Sequence, residues 1–544
     1  MTHPPPTTYF VRGLLLRLLA GVYLLAFASF WVQAEGLIGP RGLLPVEPFL
    51  ESAAARLGSE AYWRLPTLLW LSQGTAFLHG LCGAGVAVSM LAIAGFWPLA
   101  CFGVLWLLYL SIVVGGQDFM SFQWDTLLLE AGLLALVLAP ARRRASLAAR
   151  TPPPALGIWL VRLLVWKLLF LSGATKLLSL DSTWWQLTAL DYHYFTQPLP
   201  WWTSWYAHQL PPWIDAACVA ILLVVELGAP WLIFVGERAR VVAFALLVAL
   251  QLAIAWTGNY GFFNLLTIVL CTALLDDRHF ERVLPPLRER RLAAWGEGQD
   301  RATPLGRIWR YLAGATPARS PVATAREIGE AARRRPWSGA LRGAVAAALV
   351  AASLLVTVRE LVRTAPPQAR EGSWGGALAW SERRLLRPAR PLLDVIAPLR
   401  SVNGYGLFRA MTTSRPEIVI EASADGTTWT EIELRWKPGD VRRRPRLVAP
   451  HHPRLDWQLW FAALAPRAEG WLGMLVRRVL EGEESVLALL GAKEWRDEPP
   501  RWVRLRYYRY EFTDRAERRA TGAWWRRVPL GDLTSRISLE DLER

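Results

Sequence analysis

Six ionisable residues interrupt long apolar runs in this chain: Asp125 and Glu130 in the run 121–139, Arg162, Lys167 and Lys176 in 156–178, and Glu226 in 213–235. A charge facing lipid costs about 2.5–3.5 kcal/mol or more at the bilayer centre, so such groups pair with one another or line a polar pocket. Lys167 and Glu226 fall near the middle of adjacent antiparallel runs and are expected to pair there. Lys176 and Asp125 lie nearer one end. If these groups face a pocket, Lys176, His193 or Asp125 are the residue types that would serve as acid or base on a polar ligand.

A second set of polar groups sits in the stretch TALDYHYFTQPLP, residues 188–200, between two apolar blocks. Its neighbours Trp184, Trp185, Trp201, Trp202 and Trp205 suit a membrane–water interface, where an aromatic body meets a polar edge. Asp191, Tyr192, His193 and Gln197 ask for more than a belt, because they bring hydrogen-bonding edges to a segment stiffened by Pro198 and Pro200. They are expected to form a structured cap under a C-terminal domain, with Arg409 or Arg415 of LFRAMTTSRP as cationic partners for Asp191 or the aromatic faces.

The elements that must position these groups are helices in lipid. The chain has 544 residues, is 53% hydrophobic and carries 30 Trp, too apolar for an ordinary soluble protein of its length. From Leu65 to Gln117 there is no Asp, Glu, Lys or Arg, room for two helices that each need about 20 residues to cross. Nine candidate spans follow: 11–33, 68–88, 92–114, 121–139, 156–178, 213–235, 240–257, 261–276 and 341–358. The last has only Gly343 to Val358 between Arg342 and Arg359, which is short for a bilayer unless those arginines snorkel. The first follows Arg12 and Arg17 like a signal peptide but lacks a small-residue cleavage site, so it reads as an uncleaved span.

The basic loops orient the whole. Arg142, Arg143, Arg144 and Arg150, then Arg238 and Arg240, then the Arg-rich stretch from Asp277 to Arg342 fall on one side, the cytoplasmic side by the positive-inside rule. That parity puts residues 36–46, 115–125, 188–200 and 257–264 together on the other side. The expected organisation is a membrane domain over 1–277, a basic cytoplasmic connector over 278–340, a ninth span over 341–358 and a soluble, non-cytoplasmic domain over 370–544. The fold class is thus an α-helical polytopic membrane protein of about nine spans with a C-terminal mixed α/β domain.

In that domain PEIVIEASADGTTWTEIELRW alternates around Asp425-Gly426, the signature of a hairpin with a two-residue loop. PRLDWQLWFAAL and GWLGMLVRRVLEG carry helical periodicity, and RWVRLRYYRYEF alternates as a strand. The pair His451-His452 lacks a third metal ligand and reads as part of a surface loop. No hydrolase, phosphate-loop or zinc motif is present, so no catalytic residue, metal or cofactor is expected. The net charge of +16 comes from arginines scattered along loops rather than from one basic domain, which argues against nucleic acid as a partner. Cys82, Cys101, Cys218 and Cys271 all lie in apolar blocks, which gives no disulfide framework.

Ordered blocks along most of the chain carry a resemblance: GLIGPRGLLPV, SFQWDTLLLEAG, FLSGATKLLSLDSTWWQLTALDYHYFTQPLP, WYAHQLP, TGNYGFFNLLT, NGYGLFRAMTTSRPEIVIEASADG and WKPGDVRRRPRLVAPHHPRLDWQLWFAAL. Together they resemble the lipase maturation factor family of polytopic membrane proteins. The resemblance implies a chaperone-like folding and maturation factor without an established catalytic residue, whose animal members reside in the endoplasmic reticulum membrane and help secreted lipases assemble. It implies that the C-terminal domain contacts the client polypeptide, which points to Asn403, Tyr405, Arg409 and Arg415 in 403–423. Short loops and an Arg-rich, Lys-poor composition fit a bacterial, inner-membrane type of member. A fainter similarity, to the helical domain of vitamin K-dependent carboxylase-like proteins, implies the alternative of a membrane enzyme with an outward-facing polar pocket.

Overall fold

The computed structural model describes residues 8–145, 147, 155–281, 336–367, 375–466 and 470–543. Nine helices correspond to the nine expected runs: α1 Tyr9–Trp31, α2 Thr75–Ala94, α3 Pro98–Gly115, α4 Gln123–Leu138, α5 Ala155–Leu178, α6 Pro212–Gly228, α7 Glu237–Thr257, α8 Phe263–Cys271 and α9 Pro336–Thr364. Among the described residues seven of these runs are long and apolar enough to cross a membrane, α6 being prolonged by short turns to Val235. The other two are α4, with 16 residues, and α8. A helix rises about 1.5 Å per residue, so α4 is short of a bilayer. It is also enclosed by protein, with Asp125 and Glu130 fully buried, and needs to satisfy its neighbours rather than lipid.

Two boundaries move from their expected places. The run predicted at 68–88 begins as a helix only at Thr75, because Thr67 caps a short turn at Leu68–Trp70 by accepting the Leu69 amide. The ninth helix is not short: it covers 29 residues and carries Arg359, Glu360 and Arg363 on its last turns. Most of the expected connector, from 282 to 335, lies outside the described residues.

The C-terminal domain is built on a four-stranded antiparallel sheet in the order β2-β1-β3-β4, with β1 Arg415–Ser423, β2 Thr430–Ile432, β3 Trp502–Phe512 and β4 Trp525–Asp532. Helices α11 Arg454–Leu464 and α12 Gly470–Leu480 lie in the connection from β2 to β3, and α10 Arg387–Ile396 precedes the sheet. The hairpin at Asp425-Gly426 is wider than its dipeptide suggested. Pairing stops at Ala422–Thr430, and Asp425 instead accepts the amides of Thr427 and Thr428 at 2.8 and 2.7 Å. That local turn competes with the ladder and opens the loop.

β1 is buried along its whole length. Ile418, Ile420 and Ala422 join the core with Leu455 and Leu459 of α11, while on the other face Arg415, Glu417 and Glu421 carry charges that must be paired. Glu417 takes Arg415 and Lys437, and Glu421 takes Arg504 at 2.5 Å.

Candidate functional site

The sheet domain sits on one end of the helical bundle, and most of the residues singled out in the sequence, though not Arg162, gather in the seam between the two. α4 enters the seam with Asp125 near its first turn. Arg454, at the start of α11, grips that carboxylate with two nitrogens at 2.7 and 2.8 Å and donates to the Phe119 carbonyl at 2.8 Å. The Tyr109 hydroxyl donates to the same carboxylate at 2.6 Å. Both Asp125 and Arg454 are fully buried, so this is a fork-on-carboxylate joint without water competition.

One turn deeper, Glu130 organises a second joint. Lys167 pairs with it, the Tyr405 hydroxyl donates to it at 2.6 Å and the Asn403 amide donates at 3.1 Å. The expected Lys167–Glu226 pair is therefore corrected. Lys167 belongs to Glu130, and Glu226 accepts Lys176 at 2.7 and 3.0 Å, about two and a half helical turns further along α5. Period and depth alone did not reveal which face of α5 meets α4 and which meets α6. Arg162 lies at the opposite end of the bundle, where it and Arg240 face Asp276 at 3.7 and 3.3 Å.

The stretch 188–200 is a cap. Ala189–Thr196 is a short helix that ends before Pro198, leaving carbonyls unpaired by the helix. Arg415 supplies the missing donors: its guanidinium donates to the carbonyls of Phe195 (2.9 Å), Gln197 and Pro198 (2.8 Å) while bonding Glu417 at 2.8 Å. Gln197 accepts from the Tyr260 hydroxyl at 2.7 Å and donates to the Thr257 carbonyl at 2.7 Å, and His193 meets the same hydroxyl at 2.8 Å. Arg409 takes no part through its side chain, and its carbonyl accepts from Ser179 at 2.7 Å. Asp191 is half-buried and has no ion-pair partner among the described residues; burial holds its carboxyl above the usual range. Tyr192 packs at the edge of a small aromatic cluster with Trp205, Trp524 and Trp525.

Several seam residues escaped the sequence reading. Asn259 clamps two loops, donating to the carbonyls of Leu199 (3.2 Å) and Arg446 (2.9 Å) and accepting the amides of Val448 (2.8 Å) and Ala449 (3.1 Å). Gln33 accepts the Arg454 amide at 2.8 Å and donates to the His452 carbonyl at 2.9 Å. The histidine pair is not a surface loop. His451 meets the Ser29 hydroxyl at 2.9 Å, and His452 is fully buried against the rings of Phe122, Trp124 and Trp457. No group of metal-binding side chains occurs among the described residues. The available signal was the density of Asn, Gln, His and Arg in otherwise apolar, Gly/Pro-punctuated stretches.

The histidines of the seam make it sensitive to acid. Burial, with Lys176 nearby, lowers His193 to about 4, and burial with Arg454 and Arg435 nearby lowers His451 to about 4. An unfolded histidine takes its proton near pH 6.5, so the unfolded chain binds protons first as pH falls. The stabilisation is complete above about pH 6.5 and is lost between about 6.5 and 4, by at most about 3 kcal/mol per histidine. The melting temperature in detergent is expected to drop from pH 7 to pH 5, with a shallower slope in His451→Gln; equal slopes would remove the histidine from the account.

These features define an α-helical, multi-pass integral membrane protein with an antiparallel sheet domain docked to one end of its bundle through buried ion pairs. Residues 10–282 match the lipase maturation factor transmembrane domain, and residues 401–535 match the lipase maturation factor C-terminal domain. The chain is 36% identical to human lipase maturation factor 2 (97% of this chain, 83% of the relative) and 37% identical to the chicken protein of that name (99% and 83%). It is 33% identical to bovine lipase maturation factor 1 (98% and 90%). No solved structure matches. The chain belongs to the lipase maturation factor family.

Proposed function

We propose that the protein is a membrane-anchored maturation factor for exported polypeptides, lipases among them, with its sheet domain on the non-cytoplasmic side. The carrying observation is the joint at Asp125–Arg454, which ties the sheet domain to the bundle so that the loops of one end and the turn before β1 lie on one body. The relatives' names supply the client class. Residues 403–423 are the proposed client-facing part: Arg409, Ala410, Thr413 and Ser414 are its exposed positions, and the buried Tyr405, Arg415 and strand β1, with Asn403 and the cap residues Asp191, Tyr192, His193 and Gln197, support them from beneath. The groups that an acid–base enzyme would need free are engaged: Asp125 by Arg454, Lys176 by Glu226, His193 by Tyr260. The membrane is the inner membrane in a bacterium and that of the endoplasmic reticulum in a eukaryote.

The test couples sidedness to maturation. Ala424→Cys is expected to react with an impermeant maleimide from the non-cytoplasmic side. His193→Ala with Gln197→Ala is expected to lower the active yield of a co-expressed secreted lipase several-fold at unchanged abundance of the factor in the membrane. Labelling from the cytoplasmic side alone, or an unchanged lipase yield, overturns the reading.

A further inference from the structure

The helical segment before the sheet lies outside both matched family regions, and the seam does not account for it. α9 turns from apolar to charged at Arg359, Glu360 and Arg363, with Arg363 exposed and bonded to Glu360 at 2.8 Å. Long cations at the end of an apolar helix mark where it leaves hydrocarbon. Gly404 lies against Glu360, where an added Cβ would fall 2.6 Å from a carboxylate oxygen, so the chain that leads into the Glu130 joint passes at that level. It arrives there from a continuous helical run: Gly375–Ser381, a π turn at Glu382–Leu386, then α10.

This run has three faces. Leu385, Ala389, Leu393 and Ile396, at spacings of i, i+4, i+8 and i+11, are half-buried or buried, and the run packs against α9. Arg383, Arg387 and Arg390, at i, i+4 and i+7, are exposed. Between these stripes Pro388, Leu392 and Val395 repeat the i, i+4, i+7 spacing and are also exposed, Leu392 by 51% and Val395 by 54%; Trp380 stands out at 54%. Leaving such side chains in water forgoes their burial, at roughly 25 cal/mol per Å². A basic stripe beside an apolar one, with a Trp, is the arrangement of a helix lying in a membrane interface.

We propose that residues 375–396 lie in the bilayer surface on the side of the sheet domain, with Pro388, Leu392 and Val395 at the boundary between headgroups and acyl chains and Arg383, Arg387 and Arg390 on phospholipid phosphates. Phospholipid is the occupant because the run packs against α9, a helix long and apolar enough to cross a membrane, near the level where that helix meets its charged turns. The arginine stripe, relieved among the described residues only by the Arg390–Asp394 contact at 3.8 Å, complements phosphate. The segment is thereby a second attachment of the sheet domain to the membrane, independent of the protein seam.

The test uses the full chain in phosphatidylethanolamine–phosphatidylglycerol vesicles, in a Cys218→Ser background that removes the exposed thiol found among the described cysteines. A bimane fluorophore is placed at Leu392→Cys, Val395→Cys and Arg387→Cys in separate variants that retain the parent melting temperature. Quenching by shallow doxyl lipids is expected to exceed quenching by aqueous iodide several-fold at 392 and 395, with the reverse at 387. Iodide quenching at 392 and 395 equal to that at 387 overturns the proposal. So does shielding at 392 and 395 that grows with the protein-to-lipid ratio, which would assign this face to a second copy of the chain.

Discussion

Arg454→Met is expected to loosen the sheet domain from the bundle, lowering stability by about 3–5 kcal/mol, because removing one partner of a buried pair leaves the other charge unpaired. The bound state is demanding: the guanidinium has 2.7 and 2.8 Å contacts to Asp125, stacks over Phe30 and Phe122 at 5.8 Å, and has no exposure. Methionine refills the volume but offers Asp125 nothing, so the carboxylate keeps only Tyr109. Adding Asp125→Asn removes the stranded charge and is expected to recover part of the loss. Thermal unfolding in detergent reads the magnitude, and hydrogen exchange across α11 reads the place. If the double variant loses the sum of the two single losses, the pair is not the joint and the seam is held by its smaller contacts.

The helices were legible because lipid sets a length and an apolarity that a sequence displays directly. All nine predicted runs contain helices, but only seven are long and apolar enough among the described residues to cross, with α4 and α8 falling short; the other errors lie at helix ends, where local caps such as Thr67 decide. The cap was legible in part: Pro198 and Pro200 announced a rigid exit, and Arg415 was one of two arginines named for it. The other, Arg409, shows why the reading stopped there. Arg409 and Arg415 differ by six positions in a stretch without periodicity, and only the start of β1 turns Arg415 inward. Arg454 was illegible for a further reason. It sits in a loop-like PHHPR sequence whose polarity suggests solvent, and the groups that bury it, Asp125 and Gln33, come from segments more than three hundred residues away. Polar residues in a seam read like surface because each half alone would expose them.

The second large effect concerns the deeper joint. Lys167→Met is expected to destabilise the bundle by about 3–5 kcal/mol, since it strands Glu130 inside protein at membrane depth. Glu130→Gln in the same chain is expected to restore much of that loss. The amide can still accept from the Tyr405 hydroxyl and the Asn403 amide, which Glu130 now bonds at 2.6 and 3.1 Å. Glu226→Gln serves as the control. Its partner is Lys176, so it is expected to add its own loss to that of Lys167→Met without rescue. Because β1 begins ten residues after Tyr405, loosening the joint frees the segment that leads into it, and Lys167→Met is expected to speed hydrogen exchange at residues 415–423 as well as in α5. Rescue by Glu226→Gln instead of Glu130→Gln would show that the pairing runs across α5 and α6. Unchanged exchange in β1 would confine the joint to the bundle.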